Sequence, residues 1–129
     1  MKTLFSALLA FSLVLLSSYK QPGTIDGVIS ALKSGNASEL GRFFDDNVQL
    51  KLPDKSDTYS KAQAQLIVKD FFGNNKVKGF EVKHKGEQNG GEYFIGTLST
   101  SQGSFRTTVY VRNKSGKQLV TEVRFQSME

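Results

Sequence analysis

His84 is the only histidine in this chain, and there is no cysteine. Those two facts bound the chemistry. Acid–base work by an imidazole must use His84, with a carboxylate near enough to orient the ring. The candidate partners are Asp45, Asp46 and Asp70. A small pocket enzyme of isomerase, dehydratase or hydrolase type would combine His84 with one of them. Asp45 and Asp46 are adjacent, so on a strand they cannot both face one pocket. The run Asp-Asp-Asn also suits a helix end in water. A histidine at the rim of the core, satisfied by backbone or solvent, is therefore preferred to a catalytic one.

Other chemistries drop out on residue type. Without cysteine there is no disulfide, thiolate nucleophile, cysteine-ligated zinc or lipid-bearing cysteine. Asp54 and Asp57 begin DKSDTYSKAQAQ, but that run lacks the glycine of a calcium loop and has Gln65 where the late glutamate is required. No phosphate-cradling glycine loop or activated-serine motif is present. The expectation is no metal and no cofactor, and the balance leans away from an enzyme.

The elements that must position these residues follow from periodicity. The stretch Ser34 to Leu52 leaves one helix, makes a second and enters a sheet. Thr24 suits an N-cap, and Ile25, Val28, Ile29 and Leu32 form one apolar stripe that Gly35 ends. Ala37, Leu40, Phe43 and Phe44 give a short second helix, stopped by Asp45, Asp46 and Asn47. Val48, Leu50 and Leu52 then alternate as a half-buried strand does. Pro53 to Tyr59 reads as a polar loop. Ser60 with Gln63 forms a capping box for a third helix carrying Ala64, Ile67, Val68 and Phe71, widened by Leu66 and Phe72.

Four strand-like runs complete the chain: 77–87, 92–100, 104–112 and 118–126. Their short glycine-containing links predict antiparallel hairpins. Three-residue loops at Asn89-Gly90-Gly91 and Lys114-Ser115-Gly116, with a two-residue Gln102-Gly103 turn, bring the apolar residues to one face. A two-residue Asn89-Gly90 turn breaks that agreement and is rejected, since a one-residue slip exchanges the faces. The chosen registers send His84, Gly96, Thr107, Val109 and Thr121 inward, where a cone pocket with an apolar wall would hold a small apolar ligand. They send Tyr93, Ile95, Tyr110 and Val120 outward, ringed by Arg106 and Arg124. Such a patch suits a homodimer through the outer sheet face, or ordinary cross-strand packing.

Residues 1–18 read as a secretory signal. Lys2 is followed by an apolar run from Leu4 to Leu16 and a small-residue exit at Ser17 and Ser18. That run is shorter than the roughly 20 residues of a stable membrane span. Residues 19–129 then form one domain, exported to a periplasm or beyond the cell. Removing Lys2 with the signal leaves 16 basic against 12 acidic side chains. The excess is scattered and no nucleic-acid motif accompanies it, so a solvated surface is expected and no nucleic acid.

Helix, short helix, strand, long helix and four antiparallel strands resemble the nuclear transport factor 2-like superfamily. Three segments sharpen the match: the helix pair entering FFDDNVQLKLP, the helix TYSKAQAQLIVKDFF, and YFIGTLSTSQGSFRTTVYVRNKSGKQLVTEVRF. Together they resemble an exported bacterial family catalogued as domain of unknown function 4783, over roughly residues 24–126. The resemblance implies an α+β cone, with N-terminal helices packed on a curved antiparallel sheet. It implies no activity. The reading reached is a non-enzymatic ligand-binding or protein-interaction module.

Overall fold

Helix α1, Thr24–Ser34, starts at Gly23 rather than at a Thr24 cap. Thr24 is already helical, and its hydroxyl donates to the Gln118 carbonyl at 3.0 Å, tying the helix to the last strand. The helix ends at Gly35, whose φ of +65° is left-handed. The Gly35 and Asn36 amides donate back to Leu32 and Ala31, at 3.2 and 2.9 Å, in a Schellman closure. A side chain at Gly35 would also press on Val77, with a Cβ only 2.8 Å from the Val77 Cβ. The computed structural model describes residues 23–128, so the predicted signal lies outside the described residues.

Helix α2, Ala37–Gly41, is capped by the Asn36 side chain, which accepts the Glu39 amide at 3.1 Å. It is shorter than its sequence pattern. Phe44, Asp45, Asp46 and Asn47 belong to strand β1, Phe44–Leu52, and do not terminate a helix. Strand β2, Lys55–Ser60, occupies most of the expected polar loop and pairs antiparallel with β1. Helix α3, Lys61–Asn74, begins as expected: Ser60 Oγ accepts the Gln63 amide at 3.3 Å. Ala64, Val68, Phe71 and Phe72 are buried, whereas Leu66 is 61% exposed and does not widen the stripe.

The remaining strands are β3, Val77–Gln88; β4, Gly91–Thr100; β5, Gly103–Lys114; and β6, Lys117–Ser127. All six form one sheet in the order β2-β1-β6-β5-β4-β3. The four C-terminal strands are consecutive antiparallel hairpins, while β1 runs parallel to β6.

The hairpin registers differ from expectation. Gln88 pairs with Gly91 around a two-residue Asn89-Gly90 turn, the alternative rejected above. Lys114 pairs with Lys117 around Ser115-Gly116. Both turns place two successive residues at positive φ, +50° and +78° in the first and +52° and +80° in the second. That geometry matches the right-handed twist of paired strands. The third turn is Ser101-Gln102, since Thr100 pairs with Gly103. Two-residue turns should reverse the faces at β3 and β6. β-Bulges absorb the slip, one between Val82 and His84 and one on β6 opposite Tyr110 and Val111.

The helices cover one face of the sheet. Phe71 of α3 stacks on Phe125 at 4.6 Å and meets Phe105 edge-on at 5.1 Å. Phe80 meets Phe94 edge-on at 5.8 Å under the other half of the sheet. Val28, Leu32, Leu40, Val48, Val109 and Val123 close the core at 0% exposure. Burial of this kind stabilises by about 25 cal/mol per Å² of apolar surface. No described helix is long and apolar enough to cross a membrane.

Candidate functional site

The bulge in β3 decides the fate of His84. Beyond Val82 the register slips by one residue, so His84 pairs with Ile95 instead of Gly96. The ring turns to the helix-free face of the sheet, is exposed, and meets the Tyr93 hydroxyl at 3.3 Å. It does not line the interior. Among the described residues its side-chain hydrogen-bond partner is a phenol, not a carboxylate.

The three aspartates are elsewhere. Asp45 and Asp46 lie on β1, separated from β3 by β6, β5 and β4. Four strand spacings measure about 19 Å along the sheet. Asp45 is buried, contrary to the expectation of a solvated helix end, and accepts a 2.5 Å hydrogen bond from Lys114. That bond holds its carboxyl below the usual aspartate range, against the opposing effect of burial. Asp46 is exposed, and its amide donates to Asp45 at 2.8 Å. Asp70 is on the exposed side of α3. The imidazole–carboxylate pair needed for acid–base work is not assembled.

The expected inner pocket is filled. Gly96 faces the core, but a Cβ there would stand 2.4 Å from the Phe80 ring, which occupies the space. Thr107 and Val109 are fully buried, and Thr107 Oγ1 turns to the Phe105 carbonyl at 3.4 Å. Thr121 sits at the β6 bulge, half-buried, with its hydroxyl on the Tyr110 carbonyl at 3.4 Å. Of the five residues expected around a pocket, His84 is displaced, Thr121 is taken up by the bulge, and three are core.

A cleft of about 410 Å³ lies instead at one end of the helix–sheet sandwich. Leu52 from β1, Ile67 and Phe71 from α3, and Phe105 from β5 supply its apolar wall. Asp54 from the β1–β2 turn and Lys55 at the start of β2, with Asp70 and Asn74 from α3, supply polar groups. The signal in the sequence was the spacing 67, 70, 71 and 74, one helix face that mixes two apolar with two polar positions. Ile67 and Phe71 were read as core stripe, and only Asp70 of that set as a site candidate. The cleft suits a small molecule with an apolar body and a polar end.

The outer patch is present in altered form. Tyr93 and Tyr110 lie 5.8 Å apart, and the Arg124 guanidinium sits over the Tyr110 ring at 5.3 Å while pairing with Glu122. The Glu122 hydrogen bond pushes Arg124 up from its ordinary value. Ile95 is half-buried and Arg106 exposed. Val120 does not belong: the bulge turns it inward at 0% exposure, with its amide on the Phe43 carbonyl. Among the described residues no group of three or more acidic or histidine side chains could hold a metal ion.

Comparison with known proteins fits this architecture. The family model described as domain of unknown function, DUF4783, matches residues 25–126. A DUF4783 family protein from Bacteroides uniformis has a solved structure 34% identical in sequence, with a TM-score of 0.77, over 81% of this chain and 96% of that one. One from Bacteroides ovatus is 33% identical, with a TM-score of 0.76, over 80% and 94% of the two chains. An NTF2-like protein of unknown function from Cytophaga hutchinsonii is similar in fold at 12% identity and a TM-score of 0.59, over 85% and 95%. A comparison with curated proteins found no match. The α+β, nuclear transport factor 2-like architecture is thus shared with these structures.

Proposed function

This chain belongs to the DUF4783 family, and from that premise we propose that it is an exported, non-enzymatic binding domain. Its ligand is a small molecule with an apolar body and a polar end, held in the cleft between α3 and the β1–β2 turn. One observation carries this reading. Leu52, Ile67, Phe71 and Phe105 converge from three elements on one space, and Asp70 and Asn74 stand at its edge. The volume, about 410 Å³, is within the range of small-molecule sites. The isolation of His84 from Asp45, Asp46 and Asp70 supports a binding role over a catalytic one. The apolar run after Lys2 supports export, with the domain working in a periplasm or outside the cell.

The test is a fluorescence titration of the mature protein with 1-anilinonaphthalene-8-sulfonate, which has an apolar ring system and an anionic end. Saturable emission is expected. Ile67→Lys, at a half-buried position, should abolish it while leaving the melting temperature within a few degrees. Saturable emission that survives Ile67→Lys, or none at all, contradicts the cleft assignment.

A further inference from the structure

We propose that the helix-free face of the sheet binds a glycan of sparse negative charge, in which uronic acid units are spaced by neutral sugars. Two polar clefts on that face, of about 340 and 410 Å³, share Gln49, Glu122 and Arg124 and so form one groove. It runs from Ser56 and Thr58 on β2, over β1, β6 and β5, to Gln88 and Asn89 at the β3–β4 turn. From β2 to β5 alone it crosses three strand spacings, roughly 14 Å. An extended chain fits such a groove better than a compact ligand does.

The lining selects the occupant. Amide and hydroxyl groups at Gln49, Gln88, Asn89 and Thr58 suit a ligand that presents many hydroxyls. Tyr110 and the guanidinium over it offer flat surfaces of the kind that pack against sugar rings. Arg112 and Lys51 line the groove, are exposed, and are in no ion pair among the described residues, so both are available to carboxylates. Glu122, Glu92 and Asp57 lie in the same groove. They oppose a polymer with a charge on every unit, such as a nucleic acid, and tolerate one whose charges are spaced out.

The probe is the hyaluronan hexasaccharide, in which glucuronic acid alternates with a neutral amino sugar. It is titrated into the ¹⁵N-labelled mature protein and followed by amide shifts, with maltohexaose and the oligonucleotide dT6 in parallel. The expected result is saturable shifts at Gln49, Thr58, Tyr110, Arg112 and Arg124. Arg112→Gln, at an exposed site, should weaken binding about tenfold with an unchanged melting temperature. Lys51→Gln should act in the same direction. Equal binding of maltohexaose overturns the role of charge, and tighter binding of dT6 replaces the glycan with a nucleic acid. Shifts confined to other surfaces, no saturable shift, or a wild-type dimer that buries Tyr93 and Tyr110 and becomes monomeric as Tyr110→Glu each overturn the proposal.

Discussion

Asp45 and Lys114 are 69 residues apart in sequence and joined at 2.5 Å, the lysine ammonium donating to the carboxylate. Asp45 stands at the start of β1 and Lys114 at the tip of the β5–β6 hairpin. Its side chain is 10% exposed, that of Lys114 52%. The pair therefore pins a solvent-facing hairpin to a buried strand end.

A pH dependence follows, with a definite sign. The Asp45 carboxyl is held below its usual range in the fold, chiefly by the Lys114 hydrogen bond. Its contribution is complete above the ordinary aspartate value, about 3.9. It is lost as pH falls through that range and below it. Urea midpoints at pH 7 should put Asp45→Asn about 1 kcal/mol below the wild type. The gap should narrow towards pH 3. A gap that does not change with pH contradicts the assignment.

Gly96 makes a second prediction. A Cβ at this position would lie 2.4 Å from the Phe80 ring and 2.5 Å from the Glu81 carbonyl oxygen. The ring can shift a little, but the backbone oxygen cannot without disturbing the β3–β4 pairing. Gly96→Ala should cost about 1–3 kcal/mol, as overpacking does. Paired with Phe80→Leu it should recover part of that loss, which a double-mutant cycle in urea would measure.

The Asn89-Gly90 turn makes a third. Gly90 has a φ of +78°, and nothing lies within 4 Å of where its Cβ would be. Any loss on Gly90→Ala is then conformational and not steric, about 1 kcal/mol. Asn89→Gly should be nearly neutral. The same two variants separate the turn found here from a three-residue loop, which would not demand positive φ at both positions.

These turns also mark where the sequence was legible and where it was not. Val28 with Leu32, and Ala64 with Val68 and Phe71, are repeated helical spacings that local chemistry cannot easily override. The helices were read from them. β2 was missed because KSDTYS is an edge strand, with Tyr59 its only half-buried residue and no apolar alternation to signal it. The inward face was assigned on unbroken alternation. A bulge adds one residue without any composition signal, so two of them could reverse the local faces unseen. His84 and Val120 lie between a two-residue turn and a bulge, and Thr121 is the bulge itself, so all three changed sides. Phe94, Leu98 and Val109 kept theirs because β4 and β5 pair without a register shift, and Val123 did because it lies beyond the β6 bulge, opposite Val109. The Asp45–Lys114 pair had no sequence signal, since it depends on a hairpin meeting a distant strand end.

His84 supplies a fourth prediction. It is exposed, and its partner is the Tyr93 hydroxyl at 3.3 Å. His84→Ala should alter stability by less than about 0.5 kcal/mol. Binding in the cleft by α3 should be untouched. A large loss of ligand binding in this variant, with the fold intact, would restore the catalytic or pocket histidine that the structure separates from its carboxylates.

The most direct measurement is native mass spectrometry of the mature protein purified from the envelope fraction of its own cells. The account predicts a chain shortened by its N-terminal segment and carrying a small molecule of a few hundred daltons. That added mass should disappear in Ile67→Lys, and the Arg112→Gln variant should retain it. A ligand-free chain, or an added mass that Ile67→Lys leaves in place, contradicts a ligand held in the cleft of Leu52, Ile67, Phe71 and Phe105.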